Sequence, residues 1–104
     1  MDITVLVVPD CPNEKLVIER LRQALADVGL RDAVVSARVL TAQAEAERYG
    51  FTGSPTVLVD GRDPFADADR PPGLACRVYR TPEGLAGAPG VDQLRRELAA
   101  AAAN

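Results

Sequence analysis

The two cysteines, Cys11 and Cys76, are the residues of this chain best suited to chemistry, because it contains no histidine. A thiolate can attack a disulfide or bind a soft metal. Without imidazole, catalytic triads that need a histidine base are excluded. Two thiols are too few for a disulfide-scaffold domain or an ordinary four-ligand zinc site. Thiol chemistry is therefore the candidate chemistry, and we expect no metal site.

Cys11 lies between an apolar run and residues that favour a helix. Pro12 suits the first helical position, so we expect Cys11 at or next to the N-cap, with unpaired amides that favour the thiolate. The negative charges of Asp10 and Glu14 disfavour the thiolate, and the positive charge of Lys15 offsets part of that effect. We expect a modestly activated thiol. A free cysteine can also be a small buried hydrophobe without a chemical role, and that reading stays open.

Apolar periodicity and turn residues predict alternating strands and helices. The predicted elements in chain order are a strand over 3–8, a helix from Pro12 to Val28, a strand over 34–40, a short helix capped by Thr41 and closed by Gly50, a strand over 55–60, a loop over 61–75, a strand over 76–80, a Gly/Pro-rich joint over 81–90 and a helix from Val91 through the alanine tail.

This βαβαββα order requires two parallel strands joined by a right-handed crossover, followed by an antiparallel pair. Helices would then cover both faces of one sheet. The fold class expected is α/β, a three-layer sandwich with a four-stranded mixed sheet, and residues 1–104 form one domain.

A cysteine that opens a helix after a strand, with Ser54-Pro55-Thr56 leading into a later strand, resembles the thioredoxin-like superfamily. The resemblance implies a cis Pro55 beside Cys11, with the Ser54 carbonyl and the Thr56 amide facing that cysteine. Thioredoxins carry paired cysteines, whereas this chain has Cys11-Pro12-Asn13-Glu14.

The resemblance therefore implies a single-cysteine, glutaredoxin-like redox protein that forms mixed disulfides through Cys11. Catalysis would depend on Cys11 and Pro55. The substrate would contact further residues, namely Pro12, Asn13, Ser54 and Thr56. The partner would be a thiol or disulfide, protein cysteines included. The protein would need no bound cofactor, and glutathione could serve as co-substrate, with its carboxylate held by Arg80.

Cys76 opens the strand predicted over 76–80. If that strand runs antiparallel to the one over 55–60, Arg80 returns toward Pro55 and Cys76 lies at the far end, beyond the roughly 7 Å that a disulfide allows between Cα atoms. We therefore expect Cys76 to be a buried structural residue, while a bulge or a displaced strand start after the long loop over 61–75 leaves a bridge between Cys11 and Cys76 as the alternative.

A second resemblance is to the organomercurial lyases. Cys11, Glu14 and Cys76 are similar to the two cysteines and the acid of that family, where thiolates grip mercury and the acid protonates the departing carbanion. The family uses aspartate at the Glu14 position and has chains about twice as long. A third reading is a non-catalytic binding module with a thioredoxin fold.

Charge and hydropathy limit the partners. The formal net charge is -3, and the basic residues are scattered among the acids, so we expect no binding to nucleic acid or to an anionic membrane. The chain shows no basic leader segment and no apolar run of the roughly 20 residues that a spanning helix needs. We expect a cytoplasmic protein, monomeric or weakly dimeric.

Overall fold

The computed structural model describes residues 1–67 and 69–103, which form an α/β fold of three helices and two small sheets. The elements are β1 (Asp2–Val7), α1 (Glu14–Asp27), β2 (Val34–Val39), α2 (Gln43–Tyr49), β3 (Thr56–Val59), β4 (Tyr79–Thr81), β5 (Gly84–Ala86) and α3 (Val91–Ala102). The α/β class and the first five elements agree with the prediction, apart from shifts at their ends.

Strand β1 is the centre of the main sheet, whose order is β2-β1-β3. It pairs in parallel with β2, where Ile3 lies opposite Val35, and antiparallel with β3, where Ile3 lies opposite Val59. A central strand is covered on both faces, which explains why its sequence is an almost unbroken apolar run. Strand β2 is an edge strand, and most of its side chains are exposed.

Two apolar clusters cover the two faces of this sheet. Alternate residues of β1, including Ile3 and Val5, join buried side chains of α1 and α3 in the larger cluster. Leu6 points the other way and packs with Ala46 of α2 and with Phe51. The period-two alternation of β1 therefore assigns α1 and α3 to one face and α2 to the other.

The expected four-stranded sheet is not formed by the described residues, because β4 pairs with β5 instead of with β3. Residues 75–77 run parallel to the chain at Ser54, whereas we expected an antiparallel pairing with β3. Their contact there is a single β-bridge between Cys76 and Ser54. The chain then forms a hairpin, in which β4 overlaps the end of the strand predicted over 76–80 and β5 lies in the segment predicted as a joint. Its turn residues, Pro82 to Gly84, were a hairpin signal, but three-residue strands are too short to show periodicity.

Helix α2 begins after Ala42, one residue later than the Thr41 cap predicts, and Gly50 closes it in the left-handed conformation as expected. Glu45 supplies the capping contact, because its Oε1 accepts the backbone N–H groups of Thr41 (3.0 Å) and Ala42 (3.2 Å). These bonds, above all the one from Thr41, lower the pKa of Glu45. No helix in the described part of the chain is long and apolar enough to cross a membrane.

Replacing Glu45 by alanine should lower the thermal unfolding midpoint at pH 7, because two amides at the start of α2 lose their acceptor. Since the native pKa lies below its ordinary value of 4.5, this contribution is present above that pH and disappears as the pH falls through the native value. Thermal scans at pH 7 and pH 3 measure it. Glu47→Ala, on the same helix, is the matched control, and an equal Glu45→Ala effect at both pH values would contradict the ionic cap.

Candidate functional site

Cys11 lies in a turn between β1 and α1, and not at the N-cap that the sequence predicts. Asp10 adopts left-handed backbone angles (φ 57°), which an aspartate tolerates and which redirect the chain after the strand. The Glu14 N–H then donates to the Cys11 carbonyl (3.4 Å), so Pro12 sits in this turn and α1 begins at Glu14 with Asn13 as its N-cap. Cys11 is thus three residues ahead of the helix, half-buried, and packed against the larger cluster.

Pro12, the neighbour of Cys11, is exposed, whereas the Asn13 side chain is engaged by the protein itself. A Cβ placed on Gly87 would come within 2.3 Å of Asn13 Nδ2, so the amide lies directly on that glycine. The Asn13 side chain therefore lies against the chain between β5 and α3. Of the two residues that follow Cys11, Pro12 is exposed and Asn13 is half-buried.

The Ser54–Pro55 peptide bond is cis, as the resemblance implied. Ser54, Pro55 and Thr56 are all buried. The Ser54 Oγ accepts the backbone N–H of Val8 (3.1 Å), which lies just after β1. This bond joins the cis-proline segment to the segment that leads to Cys11, so both predicted catalytic residues belong to one end of the sheet.

Both backbone polar groups of Ser54 are already paired within the chain, contrary to the expectation that its carbonyl faces Cys11. The Ser54 N–H donates to the Ala75 carbonyl (2.7 Å), and the Ser54 carbonyl accepts the Arg77 N–H (3.0 Å). We call residues 75–77 the strap. It occupies the backbone groups of Ser54, a residue that the substrate was expected to contact.

The strap also corrects the prediction for Cys76. The bridge between Ser54 and Cys76 is parallel, so Cys76 lies beside Ser54 and not at the far end of the sheet. Its side chain is exposed and not buried, and both cysteines are free thiols. Side chains alternate along an extended segment, so Cys76 points away from the side on which its neighbour Arg77 is buried.

Arg77 is the residue of this site that the sequence analysis missed, and only 3% of its surface is exposed. Its Nη1 donates to Asp63 Oδ2 (2.6 Å) and Thr56 Oγ1 (3.2 Å), and its Nη2 donates to the Phe65 carbonyl (2.6 Å). The guanidinium therefore joins the strap, β3 and the loop after β3. A signal was present, since Arg77 and Tyr79 stand two apart and share one side of any extended segment.

Tyr79 holds the cis-proline directly. Its hydroxyl donates to the Pro55 carbonyl (2.5 Å), and its ring packs edge-on against Phe65 with centroids 5.7 Å apart. The Arg77 guanidinium lies over the same ring, 4.6 Å from its centroid. Burial raises the pKa of Tyr79 well above its ordinary value, so the hydroxyl stays a hydrogen-bond donor at neutral pH.

The mercury-lyase resemblance needs Cys11, Glu14 and Cys76 to converge. Among residues 1–67 and 69–103, no three His, Cys, Asp or Glu side chains group closely enough to hold one metal ion. Glu14 is at the first turn of α1, and Cys76 is on the exposed side of the strap. The three residues are therefore not brought together.

Tyr79→Phe should destabilise the protein by about 1–3 kcal/mol, because the buried Pro55 carbonyl loses its donor. Urea unfolding followed by circular dichroism measures this change. Tyr49→Phe is the matched control, since Tyr49 is on α2 and its ring faces Arg38 of β2. Equal stabilities of the two variants would show that the Tyr79 hydroxyl contributes nothing.

Arg77→Met should cost about 3–5 kcal/mol, because it leaves Asp63 and several buried acceptors without their donor. The double variant Arg77→Met/Asp63→Asn should recover part of the loss, since the uncompensated carboxylate is then removed. Urea unfolding of the two variants and the parent protein gives the comparison. A double variant that is no more stable than Arg77→Met would contradict the ion pair as the source of the loss.

Comparisons with known proteins gave no match: no family model, no curated protein and no solved structure is significantly similar to this chain. The geometry of Cys11, Pro55 and their neighbours is therefore the basis for any statement about function.

Proposed function

We propose that this protein is a thioredoxin-like thiol–disulfide exchange protein that forms mixed disulfides through Cys11. The observation that carries the proposal is the bond from the Val8 N–H to Ser54 Oγ, which holds a cis-proline against the segment that ends in the thiol. Cys11 is half-buried and so remains partly accessible to a reagent.

The strand arrangement supports this proposal. A central β1 with a parallel neighbour, an antiparallel β3 that begins at the cis-proline, and helices on both faces are the features that the thioredoxin-like resemblance implies. The hairpin of β4 and β5 departs from it, since the fourth strand of the resemblance would pair with β3.

The exchange reaction needs one protein thiolate. The Cys11 thiolate attacks one sulfur of a disulfide, the S–S bond breaks, and a mixed disulfide forms while the second sulfur leaves as a thiolate that takes up a proton. An external thiol then attacks the mixed disulfide and releases Cys11. We assign resolution to an external thiol because the Cys76 side chain is on the exposed side of the strap.

The test is exchange with a small disulfide, followed by mass spectrometry of the intact protein. Cys11→Ser should abolish the mixed disulfide and turnover, whereas Cys76→Ser, the matched control, should retain the activity of the parent protein. Persistent activity in Cys11→Ser would contradict the proposal, as would equal dependence on both cysteines.

Alkylation separates this function from a non-catalytic binding module. Iodoacetamide should modify Cys11 faster in the native chain than in the urea-unfolded chain, since the proposed exchange requires the folded site to make this thiol more reactive. An equal or slower native rate would favour the binding module, and hydrocarbon release from an organomercurial would favour the lyase.

A further inference from the structure

We infer that the groove between α1 and β2 binds a small molecule with an apolar body and an anionic group, such as a medium-chain carboxylate. The groove has a volume of about 440 Å³, within the range of small-ligand sites. It lies at the end of α1 away from Cys11, because about 16 Å of helix rise separates Glu14 from Leu25. The inference therefore names a second site and does not depend on the proposed exchange reaction.

The floor of the groove is apolar. Leu25 is buried, and Leu30, Ala33 and Val35 are half-buried and pack against the larger cluster. Ala26, an exposed residue of α1, also lines the groove, and its methyl group takes up little of the space. A ligand with an apolar body would remove the partly exposed side chains from water, which is favourable.

The turn at the end of α1 gives the groove a fixed shape. Gly29 adopts left-handed backbone angles (φ 76°) and reverses the chain, so that the Leu30 N–H donates to the Leu25 carbonyl (2.9 Å). The Gly29 N–H donates to the Ala26 carbonyl (3.2 Å), which completes a Schellman motif. Because Leu25 and Leu30 are joined by this motif, two apolar residues of the groove are held in place without a ligand.

Two arginines line the groove, Arg22 on α1 and Arg31 in the loop before β2. Both are exposed, and neither has an ion-pair partner among residues 1–67 and 69–103. No acidic residue lines the groove in this part of the chain. A guanidinium suits a carboxylate, which it can bind through two parallel hydrogen bonds. The charge of the groove therefore selects an anion.

The negative charges near the groove are too weak to reverse this preference. The C-terminal end of α1 carries roughly half an elementary negative charge, less than the two full positive charges of the arginines. Asp27, the last residue of α1, is paired with Arg95 at 2.7 Å, and Asp32 does not line the groove. A small inorganic anion would leave the apolar floor uncovered, so the ligand needs both an apolar body and a charged group.

The experiment is an NMR titration of the backbone amide shifts with octanoate, octanol and octylammonium, which share one apolar body and differ in charge. Octanoate should bind most tightly, with shifts centred on Leu30 and Ala33. Arg22→Gln and Arg31→Gln should each weaken octanoate binding about fivefold, the factor expected for one exposed ion pair, and leave octanol binding unchanged. Arg96→Gln, an exposed substitution of the same charge on α3, is the matched control and should change neither affinity.

A second variant tests the apolar floor. Ala26→Leu places a larger side chain in the groove and should abolish the binding of both octanoate and octanol. Ala99→Leu, an exposed substitution of the same kind on α3, is its control and should leave both affinities unchanged. Alanine and leucine are both good helix formers, so both variants should fold.

Four results would overturn the inference. Octanol or octylammonium that binds as tightly as octanoate would contradict the anion preference, as would equal effects of Arg22→Gln and Arg96→Gln. Unchanged binding to Ala26→Leu would place the ligand outside the groove. If octanoate does not bind the parent protein at all, the second site fails, while exchange through Cys11 is unaffected by that result.

Discussion

The buried guanidinium of Arg77 is the interaction on which the irregular half of this protein depends. Residues 61–67 and 69–78 contain little regular structure, so their buried backbone groups need partners outside a sheet or helix. Arg77 supplies them at the Phe65 carbonyl and joins Asp63 to Thr56 at the start of β3. Gly53 permits this arrangement, because a Cβ there would come within 2.7 Å of the Arg77 Cβ. The Arg77 side chain thus stabilises the segment that follows β3, which in a four-stranded sheet would be held by strand pairing.

Ser54 connects this half of the molecule to the thiol. Its hydroxyl accepts a hydrogen bond from the backbone N–H of Val8, just after β1, and its backbone N–H and carbonyl are paired with the strap. Its peptide bond with Pro55 is cis. The hydroxyl of Tyr79 donates a hydrogen bond to the next carbonyl, that of Pro55. The hydroxyl and both backbone groups of Ser54, and the Pro55 carbonyl, therefore all have partners inside the protein, which hold the cis-proline segment in place.

The sequence sufficed for the elements with clear periodicity and failed where pairing was set by side chains. The apolar run of β1 and the three- and four-residue spacing of apolar residues in α1 reflect which side chains are buried, and this pattern can be seen directly in the sequence. The direction of residues 75–77 depends on where Arg77 finds its acceptors, and a lone arginine in an apolar context gives no indication of them. The placement of Cys76 was wrong for that reason. Pro55 was anticipated through family resemblance, while the late start of α1 depends on the left-handed backbone at Asp10.

The open edge of β2 has a consequence for the behaviour of the protein at high concentration. Val34 and Val39 are 61% and 49% exposed on a strand with no outer neighbour among the described residues, so this strand could pair with other chains and begin aggregation. Arg38, drawn over the ring of Tyr49 at 5.1 Å, is the one charged side chain of β2. Arg38 is therefore the one charge that opposes pairing of β2 with another chain, and the solubility of the protein should depend on Arg38 more than its folding does.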